Sequence, residues 1–218
     1  MISQNRYGLT LAICLASLAG FVDALGFRSL GGLFVSFMSG NSTRLAVNVS
    51  RDEALASALL PLGIIGLFVM GVIIGTIIGH FASRWRGPAI LAFVSVMLYS
   101  AAVFSAFEEK SLAIICMVFA MGAENNVFVK EGEVSIGITY MTGTLVKLGQ
   151  RLAGSFLGGN KTSWLPYLAL WLGLILGAVL GSLSYSKIGL QSLWLAGFFS
   201  YTMMVTLILL IKKKKIDF

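Results

Sequence analysis

Four stretches of this chain, residues 58–81, 88–107, 164–184 and 190–211, contain no Asp, Glu, Lys or Arg. Two more, residues 7–27 and 111–129, contain one ionisable acid each, Asp23 and Glu124. A helix needs about 20 apolar residues to cross the hydrocarbon of a bilayer. In lipid the helix also satisfies its own backbone N–H and C=O groups, which an isolated strand cannot do. The six stretches therefore predict an all-α integral membrane protein with six transmembrane helices. Composition agrees: 11% of residues are charged, against about 25% in a soluble domain. The lipid bilayer is the first expected partner.

The formal net charge of +7 is not a nucleic-acid signature. Four of the sixteen basic residues form the run Lys212, Lys213, Lys214 and Lys215, directly after the last apolar stretch. Such a cluster marks a cytoplasmic end that rests against anionic headgroups. No metal or cofactor is expected, because the chain has one histidine, His80, and no ligand-type spacing of Cys, His or carboxylates. Cys14 and Cys116 fall in apolar stretches and read as small hydrophobes. Arg6 and the apolar run behind it resemble a secretory leader. The same pattern recurs inside the chain, so it is read as a helix.

That recurrence organises the whole sequence. With an offset of 102 residues, Ile13-Cys14 matches Ile115-Cys116, Gly20 matches Gly122, and Asp23 matches Asn125. One residue is then inserted, and Met38-Ser39-Gly40-Asn41 aligns with Met141-Thr142-Gly143-Thr144, with Arg44 on Lys147. Further on, Leu60-Pro61 answers Leu165-Pro166, and Gly71, Gly75 and Gly79 answer Gly173, Gly177 and Gly181. Common order and near-constant spacing point to an internal duplication. The expected organisation is one membrane domain over residues 1–218. The repeats cover about 1–107 and 108–211, and a basic tail covers 212–218. Glycine at every fourth position makes a smooth stripe for close helix approach, which serves packing in a bundle or a homodimer.

Between the first and second apolar stretches of each half lies a segment too polar for a plain span, residues 28–51 and 130–151. Glycine and hydroxyl residues there favour a break in the helix. Irregular backbone at membrane depth must be buried in protein or line a wet cavity. If both segments are re-entrant, each half has three spans, and the second half is inverted relative to the first. If both cross, each half has four spans and the halves run parallel. Counting basic residues on each side does not separate the two readings. The tight Arg84-Trp85-Arg86 loop reads as cytoplasmic, which favours six spans with two short re-entrant or broken helical segments.

A charge in hydrocarbon costs several kcal/mol unless it is paired or hydrated. Asp23, and Glu124 with Asn125 and Asn126, must therefore face protein or water. Arg44 and Lys147 are the expected counter-charges, and one use of such pairs is purely structural. The other use is solute handling. If Ser39, Gly40 and Asn41, and likewise Thr142, Gly143 and Thr144, open short helices, their free N–H groups form a site for an anion or polar solute. The expected site lies near the midplane where the two motifs meet, with Asp23 and Glu124 in contact. Glu124 is the first choice for a proton-coupling group, since desolvation disfavours the charged form of a carboxyl group.

Gly20-Phe21-Val22-Asp23-Ala24, residues 31–41 (GGLFVSFMSGN) and residues 139–146 (TYMTGTLV) resemble the YoaK family of bacterial membrane proteins along essentially the whole chain. The resemblance implies a multi-pass protein of the bacterial cytoplasmic (inner) membrane and brings no substrate with it. Members of that family commonly carry an amide where this chain has Glu124, so the acid is a departure, and it weakens any family-wide proton-coupling role.

The function expected from these features is a transporter or facilitator for a small polar or anionic solute. A small-solute or ion channel is the alternative. An enzyme is not expected: His80 lies outside both motifs, and Asp23 aligns with Asn125 rather than with a second acid. A membrane assembly protein without transport is a third class, with little loop surface to support it.

Overall fold

The computed structural model describes residues 6–50, 55–130, 133–134 and 137–213. Eight helices account for most of them: α1 (Arg6–Ser29), α2 (Met38–Ser50), α3 (Leu55–Ala82), α4 (Arg86–Ala106), α5 (Lys110–Glu124), α6 (Met141–Phe156), α7 (Leu165–Ile188) and α8 (Leu193–Lys212). A two-residue antiparallel contact, Val129–Lys130 with Glu133–Val134, is the sole strand pairing among the described residues. Three continuous stretches are long and apolar enough to cross a membrane: Tyr7–Ser29, Ser57–Ala106 and Leu165–Lys212. The second holds α3 and α4 joined by a short 3-10 turn at Ser83–Trp85, and the third holds α7 and α8 joined at Gly189–Ser192. The protein is an all-α membrane protein, and lipid covers the many exposed large apolar side chains of α3, α7 and α8.

The halves are interlaced. The first helix of each half, α1 or α5, packs along the third helix of the other half, α7 or α3. Glycines permit both contacts. Gly173, Gly177 and Gly181 of α7 lie against Ile13, Ser17 and Phe21 of α1, so α1 and α7 run parallel. Gly71 and Gly75 of α3 lie against Phe119 and Ala123 of α5, again parallel. Reciprocally, Gly20 meets the backbone of Leu174, and Gly122 meets that of Phe68. At these crossings a Cβ would strike main-chain atoms, which cannot step aside.

These contacts correct the expected register of the glycine stripes. Ser17 and Phe119 are equivalent under the 102-residue offset, and so are Phe21 and Ala123. Gly71 therefore corresponds in space to Gly177, and Gly75 to Gly181. The third helices are displaced by one turn from the alignment by glycine spacing. Glycine recurs at every fourth position, so the stripe matches itself after a one-turn shift and cannot fix its own register.

The fourth helices close the bundle. α4 and α8 pack antiparallel, with the Ser95 and Ser200 hydroxyls 2.9 Å apart in the buried interface. The ring of Tyr99 rests on Gly197 and Trp194. α5 is shorter than expected: it stops at Glu124, and a turn through Asn125–Phe128 replaces the helix anticipated to residue 129. The three polar residues thus lie at the end of that helix instead of well within it. Cys14 and Cys116 are free and half-buried.

Candidate functional site

Beyond Ser29 the chain reverses through Gly31 and Gly32, whose φ angles of +62° and +94° suit glycine. It then returns along α1. Asp23 receives it: the Val35 and Ser36 N–H groups both donate to Asp23 Oδ1 at 2.8 Å, and the Ser36 hydroxyl donates to Oδ2 at 2.9 Å. Asp23 lies six residues before the end of α1, so the segment has come back about 9 Å, at 1.5 Å per residue. Asn41 locks the same segment from the other side. Its Oδ1 accepts from the Phe34 N–H at 3.0 Å, and its Nδ2 donates to the Phe34 carbonyl at 2.7 Å. α2 starts at Met38 from this fixed point and runs back out to Asn48, which bonds the Ser57 carbonyl at 2.7 Å.

The second half repeats the device in altered chemistry. Thr139, the counterpart of Ser36, donates its hydroxyl to Asn125 Oδ1 at 2.9 Å, and Asn125 Nδ2 donates to Met121. α6 then starts at Met141, as α2 starts at Met38. Thr144, the counterpart of Asn41, bonds only back to the Tyr140 carbonyl. An Asp–Ser latch in one half is therefore an Asn–Thr latch in the other.

The two helix starts converge. Ser36, Phe37, Met38 and Ser39 from the first half, with Thr139, Tyr140, Met141, Thr142 and Gly143 from the second, line one cavity of about 260 Å³ together with Phe68 of α3. Its wall has hydroxyls, aromatic faces and thioethers, and no charged side chain. At the N-termini of α2 and α6 the first-turn N–H groups have no partner within their own helix, and the helix dipoles place partial positive charge there. Such a chamber can hold a small solute with acceptor oxygens.

Of the residues expected to form the site, Ser39, Thr142 and Gly143 line the cavity, and Gly40, Asn41 and Thr144 shape the helix turns behind it. Asp23 and Asn125 stand one hydrogen bond behind the wall, holding Ser36 and Thr139. Asn126 serves another purpose. Its Nδ2 donates to Val72 at 3.1 Å, and its Oδ1 lies 2.9 Å from the Thr76 hydroxyl, tying the end of α5 to α3. Glu124 does not reach the cavity; it is fully buried, and neither carboxylate oxygen has a hydrogen-bond partner.

The expected ion pairs are absent. Arg44 is exposed and donates to the Gly31 carbonyl at 3.0 Å, while Asp23 is satisfied by N–H and O–H donors. Lys147 is exposed on α6 and makes no contact with Glu124. The physical reason is proximity: the returning backbone brings donors to Asp23 without confining a long side chain. Ser36, Thr139, Phe37, Tyr140 and Phe68 are site residues that the sequence reading missed. The first four carry a legible signal, since Ser36-Phe37-Met38 and Thr139-Tyr140-Met141 extend the repeated motif by two residues.

Comparison with known proteins agrees with the membrane fold and leaves the solute open. A 191-residue alignment gives 37% identity to the UPF0700 transmembrane protein RA0705 of Rhizobium meliloti (strain 1021), covering 88% of this chain and 82% of that protein. The UPF0700 transmembrane protein YoaK of Bacillus subtilis (strain 168) is 29% identical over 160 residues, covering 70% of this chain and 71% of that protein. No solved structure matches. The family model described as "Protein of unknown function (DUF1275)" matches residues 11–206, and the chain belongs to that family of transmembrane proteins.

Proposed function

We propose that this protein is a transporter or facilitator for a small polar or anionic solute, bound where the starts of α2 and α6 meet. One observation carries the reading: two matching segments, one from each half, turn back beside their helices and line a single cavity. Helix ends that break off inside a membrane bundle at a repeat interface are the usual construction of a solute site. In this reading α1, α3, α4, α5, α7 and α8 cross the membrane and α2 and α6 re-enter it. The second half is inverted relative to the first, and the exchange of partners between the halves supports that symmetry. The Lys212 and Lys213 end faces the cytoplasm of a bacterial inner membrane.

Swelling of membrane vesicles tests the reading across many solutes at once. Vesicles containing the protein are shifted by rapid mixing into a panel of small osmolytes, from urea and glycerol to formate and nitrate. At least one member of the panel is expected to enter faster than into vesicles without the protein. Thr142→Trp and Ser39→Trp, which fill the cavity from opposite halves, both abolish that entry. Saturation with concentration identifies a transporter, and a linear dependence identifies the channel alternative. Equal swelling with and without the protein for every osmolyte overturns the proposal.

A further inference from the structure

Residues Glu124, Asn125 and Asn126 end α5 with three consecutive polar side chains, and the structure uses only two of them. Asn125 holds Thr139 in the cavity wall, and Asn126 fastens the helix end to α3. Both oxygens of Glu124 are buried without a partner. A carboxylic acid kept for structural reasons normally gives its hydroxyl to a nearby carbonyl, because an unpaired buried polar group is costly. An ionised carboxylate in that place costs more still.

Among the described residues no neighbour compensates for it. On the elements packed against α5, the titratable or charged residues whose side chains are described are His80 of α3, Arg86 and Tyr99 of α4, and Tyr7, Cys14, Asp23 and Arg28 of α1. None bonds the carboxylate. His80 is exposed, the Arg86 guanidinium is engaged with the carbonyls of Gly79 and Val129, and Asp23 is filled by its three donors. Lys110 and Cys116 complete the set on α5 itself.

We infer that Glu124 is a proton-exchanging switch for the cavity wall of the second half, while Asp23 is the fixed anchor of the first. Glu124 is neutral when the Asn125–Thr139 contact is made. Loss of its proton requires water to reach it and carry the proton away. That entry displaces the end of α5, breaks the Asn125–Thr139 bond and moves Thr139 in the wall. The inference rests on the solute-site reading for its purpose, but its test needs no solute.

Infrared difference spectroscopy of the full chain in lipid, wild type minus Glu124→Gln, isolates the carbonyl band of the protonated acid. The expected result is a band that shifts in heavy water and disappears reversibly as pH is raised. Glu124→Asp, which keeps an acid, is expected to move the same band, so a poorly folded Gln variant does not remove the test. Asp23→Asn leaves the band in place. A band that persists at every pH and ignores heavy water identifies a sealed structural acid and overturns the inference. So does the absence of any protonated-acid band at acidic pH. Vesicles that fail to swell while the band titrates would sink the transport reading and leave the proton exchange standing.

Discussion

Gly177→Val is expected to abolish the folded protein, so that detergent extracts yield aggregate in place of a monodisperse species. At this position α7 lies so close to α1 that a Cβ would run into the Ser17 carbonyl, with the Ser17 carbonyl carbon next in line at 2.6 Å. Ordinary overpacking costs about 1–3 kcal/mol because neighbouring side chains adjust. Here the obstacle is backbone, and relief requires the helices to separate along the whole Gly173–Gly181 stripe. Gly71→Val, with its Cβ 2.6 Å from the Phe119 carbonyl oxygen, should be damaging in the same way at the α3–α5 contact. Gly63→Val is the control, since a Cβ there meets open space. If Gly177→Val and Gly63→Val elute and melt alike, the interlaced packing of the halves is wrong.

The second large effect is at Asp23. Asp23→Ala removes the acceptor for two buried backbone N–H groups and one hydroxyl at once. Leaving a buried donor unsatisfied costs about 1–3 kcal/mol each, so a loss on the order of 2–6 kcal/mol is expected for the two N–H groups. Asp23→Asn keeps one carbonyl oxygen that can accept both N–H groups, so most of the stability should remain. Thermal melting in detergent ranks wild type, then Asn, then Ala. An Ala variant as stable as the Asn variant would mean that Asp23 does not hold the returning segment.

Much of the fold is legible in the residues themselves. Charge-free stretches of membrane length became helices, because lipid offers the backbone no other partner. Asp23 and Asn125, aligned in the sequence, each accept a hydroxyl from the segment that follows, and each Met-(Ser/Thr)-Gly motif opens a helix. What escaped has physical causes. Which half supplies a helix's neighbour is a tertiary fact, and an apolar face has no address written on it. A glycine stripe matches itself after every turn, so its register was set one turn away. The end of α5 came early because Asn125 and Asn126 bond backbone and hydroxyl groups that would otherwise leave the helix continuing. Charge pairing misled for a related reason. Complementary charges suggested Asp23–Arg44 and Glu124–Lys147; at Asp23 the rigid returning backbone is a better partner than a flexible side chain that loses its freedom on pairing, and Glu124 has no partner.

The central claim is that the two motifs, far apart in sequence, face each other across one cavity. Paired cysteines test it directly in a chain lacking Cys14 and Cys116. Ser95→Cys with Ser200→Cys serves as the positive control, because those hydroxyls are 2.9 Å apart between α4 and α8. Ser39→Cys with Thr142→Cys, both on the cavity wall, is expected to be joined by a short bifunctional thiol reagent in native membranes. If the control pair is joined and the motif pair is not, the starts of α2 and α6 do not meet, and the solute site proposed between them does not exist.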